Sequence, residues 1–502
     1  MDISELSNAF HERAREHGDL KAVSTPQGEM SFGVLQRVAE SLAQLFAARG
    51  ITEGSLIALA LPNSLAFAPA VLALFRLSAT TVLLSTRYRE SELLCIANGA
   101  RPLVFVTTEA FVRTLQQSIT ERRIETLSLP ETGALALLFP RPEDAAAAPG
   151  SGTPAWPAKP GAALIKMTSG STGTPKGVAL TAANLWAEAQ NVISTLAITP
   201  GECIHAPVPL VHSYGFDLGL LPMLYGGANL VLRDAFVPRR TLDELNRREV
   251  ALFLGVPSMY RVLLETRTAT RPDLTHVRYL LSCTAPLPAK LIAAFHETFQ
   301  VPICQHYGSS ETGAATNHLP SHALARPSSV GLPMKNVRVI IADESGLEVN
   351  AGETGEVLVQ SGVVAAGYVS GEPPGEPRFA GDTFRTGDIG LIDEAGFLYL
   401  HGRKDDMINV GGMKVSPQEV IQALEAFPSV REAAVVGIKD AAGEEVVYAA
   451  VTLKGPATEN ELVAFCQSRL SSYKVPRRID IREEMPRSPS GKVSLTQLDL
   501  KT

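Results

Sequence analysis

Apolar residues recur along the chain with two different periods. Residues 31–50 place Leu35, Val38, Leu42 and Leu45 on one face, at the spacing of an amphipathic helix. The apolar runs LIALAL, TVLL and PLVFV follow, and each is short and bounded by polar or turn-forming residues, as buried parallel strands are. AALIKM and TAANLWAEAQ continue the series as a strand and a helix. The pattern predicts an α/β fold of layered sheets with helices on their faces.

Near the C-terminal end, the helices and strands predicted by the pattern form a short series of their own. SPQEVIQALEAF predicts a helix in which Ser416 is the N-cap, Pro417 takes the first helical position and Glu419 completes a capping box. The strands EAAVVGI and VVYAAVTL and a helix around ELVAFCQSRL follow. They predict a small second α/β domain, whose boundary we place within the charged, glycine-containing stretch 401–412.

One apolar stretch, residues 56–75, approaches the length of a membrane span. Because Pro62, Asn63 and Pro69 interrupt it and Arg76 ends it, we expect a buried strand, a turn and a packed helix instead. The start of the chain shows no basic segment followed by an apolar run, so we expect no secretory signal. Five scattered cysteines without a C-x-x-C pair indicate neither disulfides nor a zinc site, and a reducing cytoplasm is expected.

Composition and net charge limit the classes of function that the chain can have. The chain has 502 residues, 45% hydrophobic and 19% charged, as expected of a globular protein with a large core. A formal net charge of -7 argues against a nucleic-acid-binding protein, which usually carries a basic balance or face.

The loop MTSGSTGTPKGVAL, residues 167–180, lies between a predicted strand and a predicted helix. Glycine-rich turns with Ser and Thr hydroxyls form anion nests, and Lys176 adds a positive charge. The loop does not fit G-x-x-x-x-G-K-[ST], because Pro175 stands where the second glycine is required and Gly177 follows the lysine. Phosphate binding and a flexible surface loop both remain open from the loop alone, whereas a P-loop NTPase is excluded.

Four further motifs extend this reading. They are YGSSETG at 307–313, FRTGDIG at 384–390, HGRKDD at 401–406 and PRSPSGKV at 486–493. Together with TSGSTGTPKG they resemble, in order and separation, the core motifs of the adenylate-forming enzymes. That superfamily includes acyl- and aryl-CoA synthetases, nonribosomal peptide adenylation domains and firefly luciferase. The resemblance extends from about residue 10 to 495 and is closest to acyl- or aryl-CoA ligases.

The resemblance implies an ATP-dependent reaction that needs Mg²⁺ and forms an acyl adenylate and pyrophosphate. It places Glu311 as the Mg²⁺ ligand, Tyr307 against adenine, Asp388 at the ribose hydroxyls and Lys492 between carboxylate and α-phosphate. We count Lys492, His212 and Glu311 as the candidate catalytic residues. The expected ATP-binding residues are Thr168, Ser169, Gly170, Ser171, Thr172, Gly173, Lys176, Thr284, Tyr307, Gly308, Ser310, Asp388 and Arg403. Ser310 departs from the threonine more common before that glutamate but keeps the hydroxyl.

The resemblance also implies a moving small domain. Asp405 matches the hinge residue, so we expect an N-terminal domain over 1–402, a hinge over 403–406 and a mobile C-terminal domain over 407–502. Rotation would withdraw Lys492 after adenylation and bring the Gly411–Gly412 loop to the second half-reaction.

The acid is expected to lie against PVPLVHSYGFDLGLL, residues 207–221, which resembles the gating segment of CoA ligases. The expected acid-pocket residues are His212, Tyr214, Gly215, Phe216, Val256, Ser282, Cys283, His306 and Gly308. Gly215 and Gly308 are expected to leave room, and the apolar walls favour a hydrophobic acyl or aryl acid. Amino-acid-activating relatives carry an aspartate where Tyr214 stands, so an amino-acid substrate is disfavoured, although a shift of three positions to Asp217 would reverse this.

The thiol acceptor is expected to be CoA. Lys474, Arg477 and Arg478 stand where CoA ligases have basic residues, whereas Val475 departs from the basic residue of some aryl-CoA ligases. A stand-alone adenylating enzyme that loads a carrier-protein phosphopantetheine therefore stays open. A catalytically inactive nucleotide-binding homologue is a remote alternative, because the motif residues are intact.

Overall fold

The computed structural model describes residues 1–88, 90–118, 121–140, 161–169, 175–247, 249–369, 377–404, 406–410, 413–439, 445–486 and 493. The chain divides into two compact units. Unit 1 comprises Met1–Val339 and Val359–Phe384, and unit 2 comprises Ile340–Leu358 and Arg385–Thr502. The expected α/β class, with a large N-terminal part and a smaller C-terminal part, is confirmed; the hinge over 403–406 stays a prediction.

The helices follow the amphipathic stretches of the sequence. They are α1 (Ile3–Glu16), α2 (Phe32–Ala47), α3 (Phe67–Arg76), α4 (Glu90–Ala100), α5 (Glu109–Ser118), α6 (Ala182–Thr195), α7 (Ser213–Gly215), a π-helix (Phe216–Leu220), α8 (Leu221–Gly226), α9 (Pro238–Leu245), α10 (Pro257–Glu265), α11 (Ala289–Phe299), α12 (Pro320–Ala323), α13 (Pro417–Glu425), α14 (Glu459–Gln467) and a 3₁₀ turn (Ser472–Lys474). None of the helices in the described ranges is long and apolar enough to cross a membrane.

The strands include the short apolar runs of the sequence. They are β1 (Lys21–Thr25), β2 (Gly28–Ser31), β3 (Leu56–Ala60), β4 (Thr80–Leu83), β5 (Val104–Thr107), β6 (Glu121–Leu129), β7 (Gly133–Pro140), β8 (Ala162–Ser169), β9 (Pro175–Thr181), β10 (Cys203–Ala206), β11 (Asn229–Leu232), β12 (Val250–Gly255), β13 (Tyr279–Ser282), β14 (Ile303–Ser309), β15 (Gly313–Asn317), β16 (Leu332–Pro333), β17 (Arg338–Ala342), β18 (Gly355–Gln360), β19 (Gly367–Tyr368), β20 (Phe379–Ala380), β21 (Thr383–Ile392), β22 (Leu398–Arg403), β23 (Ile408–Val410), β24 (Met413–Val415), β25 (Val430–Lys439), β26 (Glu445–Leu453) and β27 (Arg478–Arg482).

Unit 1 contains two large sheets. One has the strand order β16-β15-β14-β13-β12-β10-β11-β1-β2, and its strands from β14 to β1 pair in parallel. The other has the order β19-β9-β8-β4-β3-β5-β7-β6, with a parallel centre from β8 to β5. Strands such as β5 are buried at every residue, because helices cover both faces of a parallel sheet.

Residues 56–75 confirm the expectation drawn from their interruptions. They form the buried strand β3, a turn through the Pro-Asn pair, and most of helix α3. Every residue of α3 from Phe67 to Phe75 is buried, so the apolar stretch serves the protein core. The amphipathic helix expected over residues 31–50 is α2, capped by the Ser31 side chain.

Unit 2 contains the predicted small α/β fold. Strands β25, β26 and β27 form one sheet, and residues of α13 and α14 share a hydrophobic core with it. Ser416 caps α13 as expected, accepting a hydrogen bond from the Glu419 amide. The expected capping box is wrong in its second half, because the Glu419 carboxylate accepts hydrogen bonds from Lys474 Nζ at 2.8 Å to both oxygens.

Candidate active site

The expected acid-pocket residues of unit 1 follow four strands that are neighbours in one sheet. Strands β10, β12, β13 and β14 run parallel and adjacent, so their carboxyl ends lie along one edge. The residues at these ends are His212, Tyr214, Gly215 and Phe216 after β10, Val256 after β12, Ser282 and Cys283 at β13, and His306 and Gly308 in β14. Ligands of open α/β sheets bind at this edge, and the structure therefore brings the expected pocket residues together.

The gating segment, residues 207–221, is tied to the neighbouring hairpin between β14 and β15. Ser213 Oγ and Ser310 Oγ are 2.7 Å apart and share a hydrogen bond. His212, half-buried, precedes α7, and the segment continues as the buried π-helix, in which Phe216 has no exposed surface. π-Helical turns are rare and frequently lie at functional sites.

The expected role of the two pocket glycines is wrong. A Cβ atom on Gly215 would lie 2.5 Å from the carbonyl oxygen of Pro209, and one on Gly308 would overlap the carbonyl oxygen of Gly313. Each glycine therefore allows one backbone to approach another. They shape the gating segment and the β14–β15 hairpin, and the space that they leave is filled by protein.

Tyr214 and His306, two of the expected pocket residues, contact each other. Their rings stack with centroids 6.1 Å apart and an interplanar angle of 24°, and both side chains are buried. Burial lowers the pKa of His306 to about 4, while the hydrogen bond between Nδ1 and Asn317 at 3.3 Å raises it less. His306 is therefore neutral at pH 7.

Two buried hydroxyls accompany this ring pair. Within the described part of the chain, neither Tyr214 Oη nor Ser282 Oγ has a hydrogen-bond partner. A buried hydroxyl without a partner is costly unless a ligand or water supplies one. Thr284, after β13, has a φ of 74°, an uncommon value for a residue with a side chain.

The lysine of the glycine-rich motif and the acidic residue of the YGSSETG motif are connected through Tyr368. The Tyr368 hydroxyl donates a 2.9 Å hydrogen bond to Glu311 Oε1, and Lys176 Nζ lies 5.7 Å from the centroid of the same ring. Thr168 pairs with Lys176 in the β8–β9 ladder and donates to its carbonyl at 3.4 Å. Sequence reasoning missed Tyr368, which lies outside every recognised motif.

The other described residues of these motifs lie in or next to strands β8 and β14. Tyr307 is half-buried in β14, and Ser310 follows that strand. Ser169 ends strand β8. Several expected site residues lie outside the described ranges, namely Gly170, Ser171, Thr172, Gly173, Asp405, Gly411, Gly412 and Lys492.

The donor chemistry of Glu311 fits Mg²⁺. A half-buried carboxylate supplies hard oxygen ligands, and Mg²⁺ bound with a nucleotide commonly takes one or two protein carboxylates together with phosphate oxygens. Among the residues that the structure describes, no group of three or more His, Cys, Asp or Glu side chains is arranged for a metal. Glu311 would thus hold the ion together with the nucleotide.

The expected nucleotide and thiol contacts of unit 2 lie on the β21–β22 ladder and around the start of β27. Asp388 and Arg403 are opposite each other in the β21–β22 ladder, with Arg403 Nε donating to Asp388 Oδ1 at 3.2 Å. Lys474 is paired with Glu419, as described above. Arg477 and Arg478 are exposed, and Arg478 Nε donates to Asp480 at 3.0 Å.

A buried charge cluster, which we call the buried triad, was not expected from the sequence. It consists of Lys166 on β8, Asp217 in the π-helix and Glu188 on α6, each 2% exposed. Lys166 Nζ donates to Asp217 Oδ1 at 2.5 Å, and Glu188 Oε1 accepts from the Ala314 amide at 2.9 Å. Glu188 Oε2 has no hydrogen-bond partner among the described residues.

Sequence comparison places this geometry among known proteins. Residues 10–369 match the family described as AMP-binding enzyme, and residues 419–492 match the AMP-binding enzyme C-terminal domain. The chain is 31% identical over 504 residues to the 2-succinylbenzoate–CoA ligase of Geobacillus kaustophilus strain HTA426, covering 99% of this chain and 98% of that one. It is 29% identical over 505 residues to the oxalate–CoA ligase of Arabidopsis thaliana, covering 98% of each.

Comparison with solved structures finds similarity to the same class of enzymes. The o-succinylbenzoate CoA synthetase of Bacillus subtilis, solved with its acyl-adenylate intermediate, is similar with a TM-score of 0.82 and 26% identity, covering 99% of this chain and 98% of that one. The same enzyme has also been solved with ATP and a magnesium ion, with a TM-score of 0.80, 27% identity and coverage of 98% and 99%.

Proposed function

We propose a substrate class for this chain, which belongs to the family of AMP-binding enzymes and is an ATP-dependent acid–CoA ligase that works through an acyl adenylate. The substrate is a hydrophobic acyl or aryl acid, and aromatic acids are preferred. The observation that carries the proposal is the convergence of the gating segment, the ends of β12 and β13 and the Tyr214–His306 pair at one sheet edge. Named relatives act on 2-succinylbenzoate and on oxalate, so the acid must be argued from the pocket itself.

The reaction has two steps. In the first, a carboxylate oxygen of the acid attacks the α-phosphorus of ATP, the bond to the bridging oxygen breaks, and acyl-AMP and pyrophosphate form. In the second, the CoA thiol loses its proton and attacks the acyl carbonyl, and AMP leaves as the thioester forms. Negative charge on the phosphates must be offset in the first step, which requires preorganised cations.

The nucleotide roles are proposed residue by residue. Lys176 and the glycine-rich loop bind the outer phosphates, Tyr307 contacts adenine, and Asp388 accepts from the ribose hydroxyls. Glu311 would hold Mg²⁺, which would neutralise phosphate charge when bound. The hydrogen bond from Tyr368 supports this assignment, because it fixes the direction of the Glu311 carboxylate.

The pocket favours an aromatic acid. A planar ring stacks on the Tyr214–His306 pair without meeting a charge, since His306 is neutral. The hydroxyls of Tyr214 and Ser282 need partners, which a polar substituent on such a ring would supply.

An amino acid is disfavoured on structural grounds. Asp217 is the one acidic residue of the gating segment, and its carboxylate is paired with Lys166 in the core. A substrate ammonium group would therefore find no available aspartate in this segment.

CoA is the thiol substrate. The alternative is that the enzyme loads the acid onto the phosphopantetheine of a carrier protein, and the experiment below distinguishes the two acceptors.

We also place the protein in the cytoplasm. All five cysteines are free thiols, which is consistent with a reducing compartment.

The test is pyrophosphate release from ATP and Mg²⁺ with matched acids: substituted benzoates, straight-chain fatty acids of similar size, oxalate and malonate as small diacids, and phenylalanine. We expect the benzoates to give the highest kcat/KM. A preference for fatty acids or small diacids would overturn the aromatic assignment, and formation of ADP would overturn the reaction itself. The best acid is then offered CoA or a phosphopantetheinylated carrier protein, and thioester formation with CoA is expected.

A further inference from the structure

The buried triad touches three elements that each carry a proposed site residue. Lys166 precedes Thr168 on β8, the strand that leads into the glycine-rich loop. Asp217 belongs to the gating segment, which also carries His212 and Tyr214. Glu188 reaches the β14–β15 hairpin through the Ala314 amide, and Glu311 lies in the turn of that hairpin.

The contacts of the triad are close enough to fix these elements. Both side chains of the Lys166–Asp217 ion pair are buried, so solvent does not screen it. Lys166 Nζ also lies 5.3 Å from the ring centroid of Phe216, the residue that precedes Asp217. Gly313 has a φ of 61° and leaves no room for a Cβ atom beside the Glu188 carboxylate.

The charges of the triad balance with one proton bound. It contains one ammonium and two carboxyl groups. Burial, reinforced by the charge of Asp217, raises the pKa of Glu188 to about 8, so Glu188 is mostly neutral at pH 7. Asp217 is then the counter-ion of Lys166, and Glu188 acts through its hydrogen bond.

We propose that the buried triad is a positioning unit for adenylation, in which the Lys166–Asp217 pair holds the gating segment against strand β8 and Glu188 holds the hairpin that carries Glu311. The three side chains act through the residues they place. The inference rests on the proposed roles of Glu311 and the gating segment.

The arrangement makes Asp217 and Glu188 interdependent. In Asp217→Asn, Lys166 loses its counter-ion, and Glu188 is the remaining acid of the triad that can ionise to replace it. That replacement draws Glu188 toward Lys166 and away from the Ala314 amide. Displacement of a catalytic group by an ångström costs up to about 100-fold in rate, so this loss is expected in kcat for adenylation.

The experiment is a double-substitution cycle on the full chain. Asp217→Asn, Glu188→Gln and the combination are measured for binding of α,β-methylene-ATP with Mg²⁺ by calorimetry and for acid-dependent pyrophosphate–ATP exchange. Glu188→Gln, which keeps an oxygen for the Ala314 amide, should stay within about threefold of the unmodified protein. Glu188→Ala should lose much more. The combined variant should lose more than the product of its single losses, because it leaves the buried Lys166 ammonium with no acid in the triad to balance it. Glu244→Gln is the matched control, because Glu244 is a buried carboxylate bonded to His205 and Arg233.

Several results would overturn the proposal. The first is a loss of kcat in the combined variant equal to the product of the single losses. The second is an equal loss of kcat in Glu188→Gln and Asp217→Asn. The third is that the variants behave like Glu244→Gln, with lower stability but unchanged nucleotide binding and kcat. If Asp217→Asn does not fold, Lys166→Met with Asp217→Leu removes the whole ion pair, and a folded, fully active form of it would also overturn the proposal. Failure of the unmodified protein to bind the nucleotide analogue would count instead against the proposed function.

Discussion

The hydroxyl of Tyr368 donates a 2.9 Å hydrogen bond to Glu311 Oε1. The two residues are 57 positions apart in the chain, and the ring also lies 5.7 Å from Lys176 Nζ. One side chain thus orients the proposed metal ligand and borders the proposed phosphate-binding lysine. This contact connects two motifs that the sequence presents as separate.

Removal of that hydroxyl should weaken the use of Mg²⁺. Tyr368→Phe keeps the ring but loses the hydrogen bond, which is worth about 1 kcal/mol, or roughly fivefold in the Mg²⁺ concentration needed for half-maximal rate. The measurement is pyrophosphate release against Mg²⁺ concentration at saturating ATP. Tyr399→Phe, which removes a 3.3 Å hydrogen bond to Asp393 in unit 2, is the control and should leave the Mg²⁺ requirement unchanged. An unchanged curve for Tyr368→Phe would refute the orienting role.

Gly215→Ala should damage the gating segment itself. The new methyl group would lie 2.5 Å from a backbone oxygen, and we expect a loss of about 1–3 kcal/mol in the free energy of unfolding and a higher KM for the acid. Gly219→Ala in the same segment meets the flexible Leu230 side chain at 3.3 Å and should cost less. Urea unfolding and acid titrations measure both effects. If Gly215→Ala kept full stability and merely shifted preference to smaller acids, the glycine would be a pocket wall after all.

The stability of the protein should fall as the pH drops below the ordinary pKa of histidine. The folded protein holds His306 neutral until about pH 4, whereas the unfolded chain binds the proton near 6.5. The unfolded state therefore binds more protons between these values, and a contribution of roughly 3 kcal/mol present above pH 6.5 is lost by pH 4. Urea unfolding at pH 7.5 and 5.0 tests this. His306→Gln should show a smaller difference than the unmodified protein, and equal differences would contradict the assignment; the exposed His11→Gln is the control.

Lys492→Ala should separate the two half-reactions. From the resemblance of its motif, we expect Lys492 to contact the carboxylate and α-phosphate during adenylation alone, so pyrophosphate release should fall by about 100-fold or more. Thioester formation from supplied acyl-AMP and CoA should remain. Parallel assays of the two steps provide the comparison, and equal losses in both would contradict the assigned role.

Much of the fold was predictable from local patterns. The strand and helix within residues 56–75, the helix α2 and the strands β25 and β26 all follow apolar periods that depend on neighbouring residues. The half-formed capping box shows the limit of such reasoning. Ser416 caps α13 as expected, but the partner of Glu419 is Lys474, 55 positions away, which no local pattern reveals.

The candidate site was predictable where motifs carry it. The pocket residues were expected from four separate stretches, and the sheet brings those stretches to one edge. The contacts made across the fold were missed, because Lys166 and Asp217 look like an ordinary strand residue and an ordinary acidic residue. The reading of Gly215 failed for the same reason, since the sequence does not say which backbone faces a glycine.

The distribution of the pocket over four strand ends has a consequence for how its preference can change. The contributing residues, from His212 to Gly308, belong to four chain segments at or just after the ends of four different strands. Grafting any single loop from a homologue would exchange one wall and keep three. A new acid preference therefore has to be selected from libraries that vary all four loops at once, with the strands beneath them left intact.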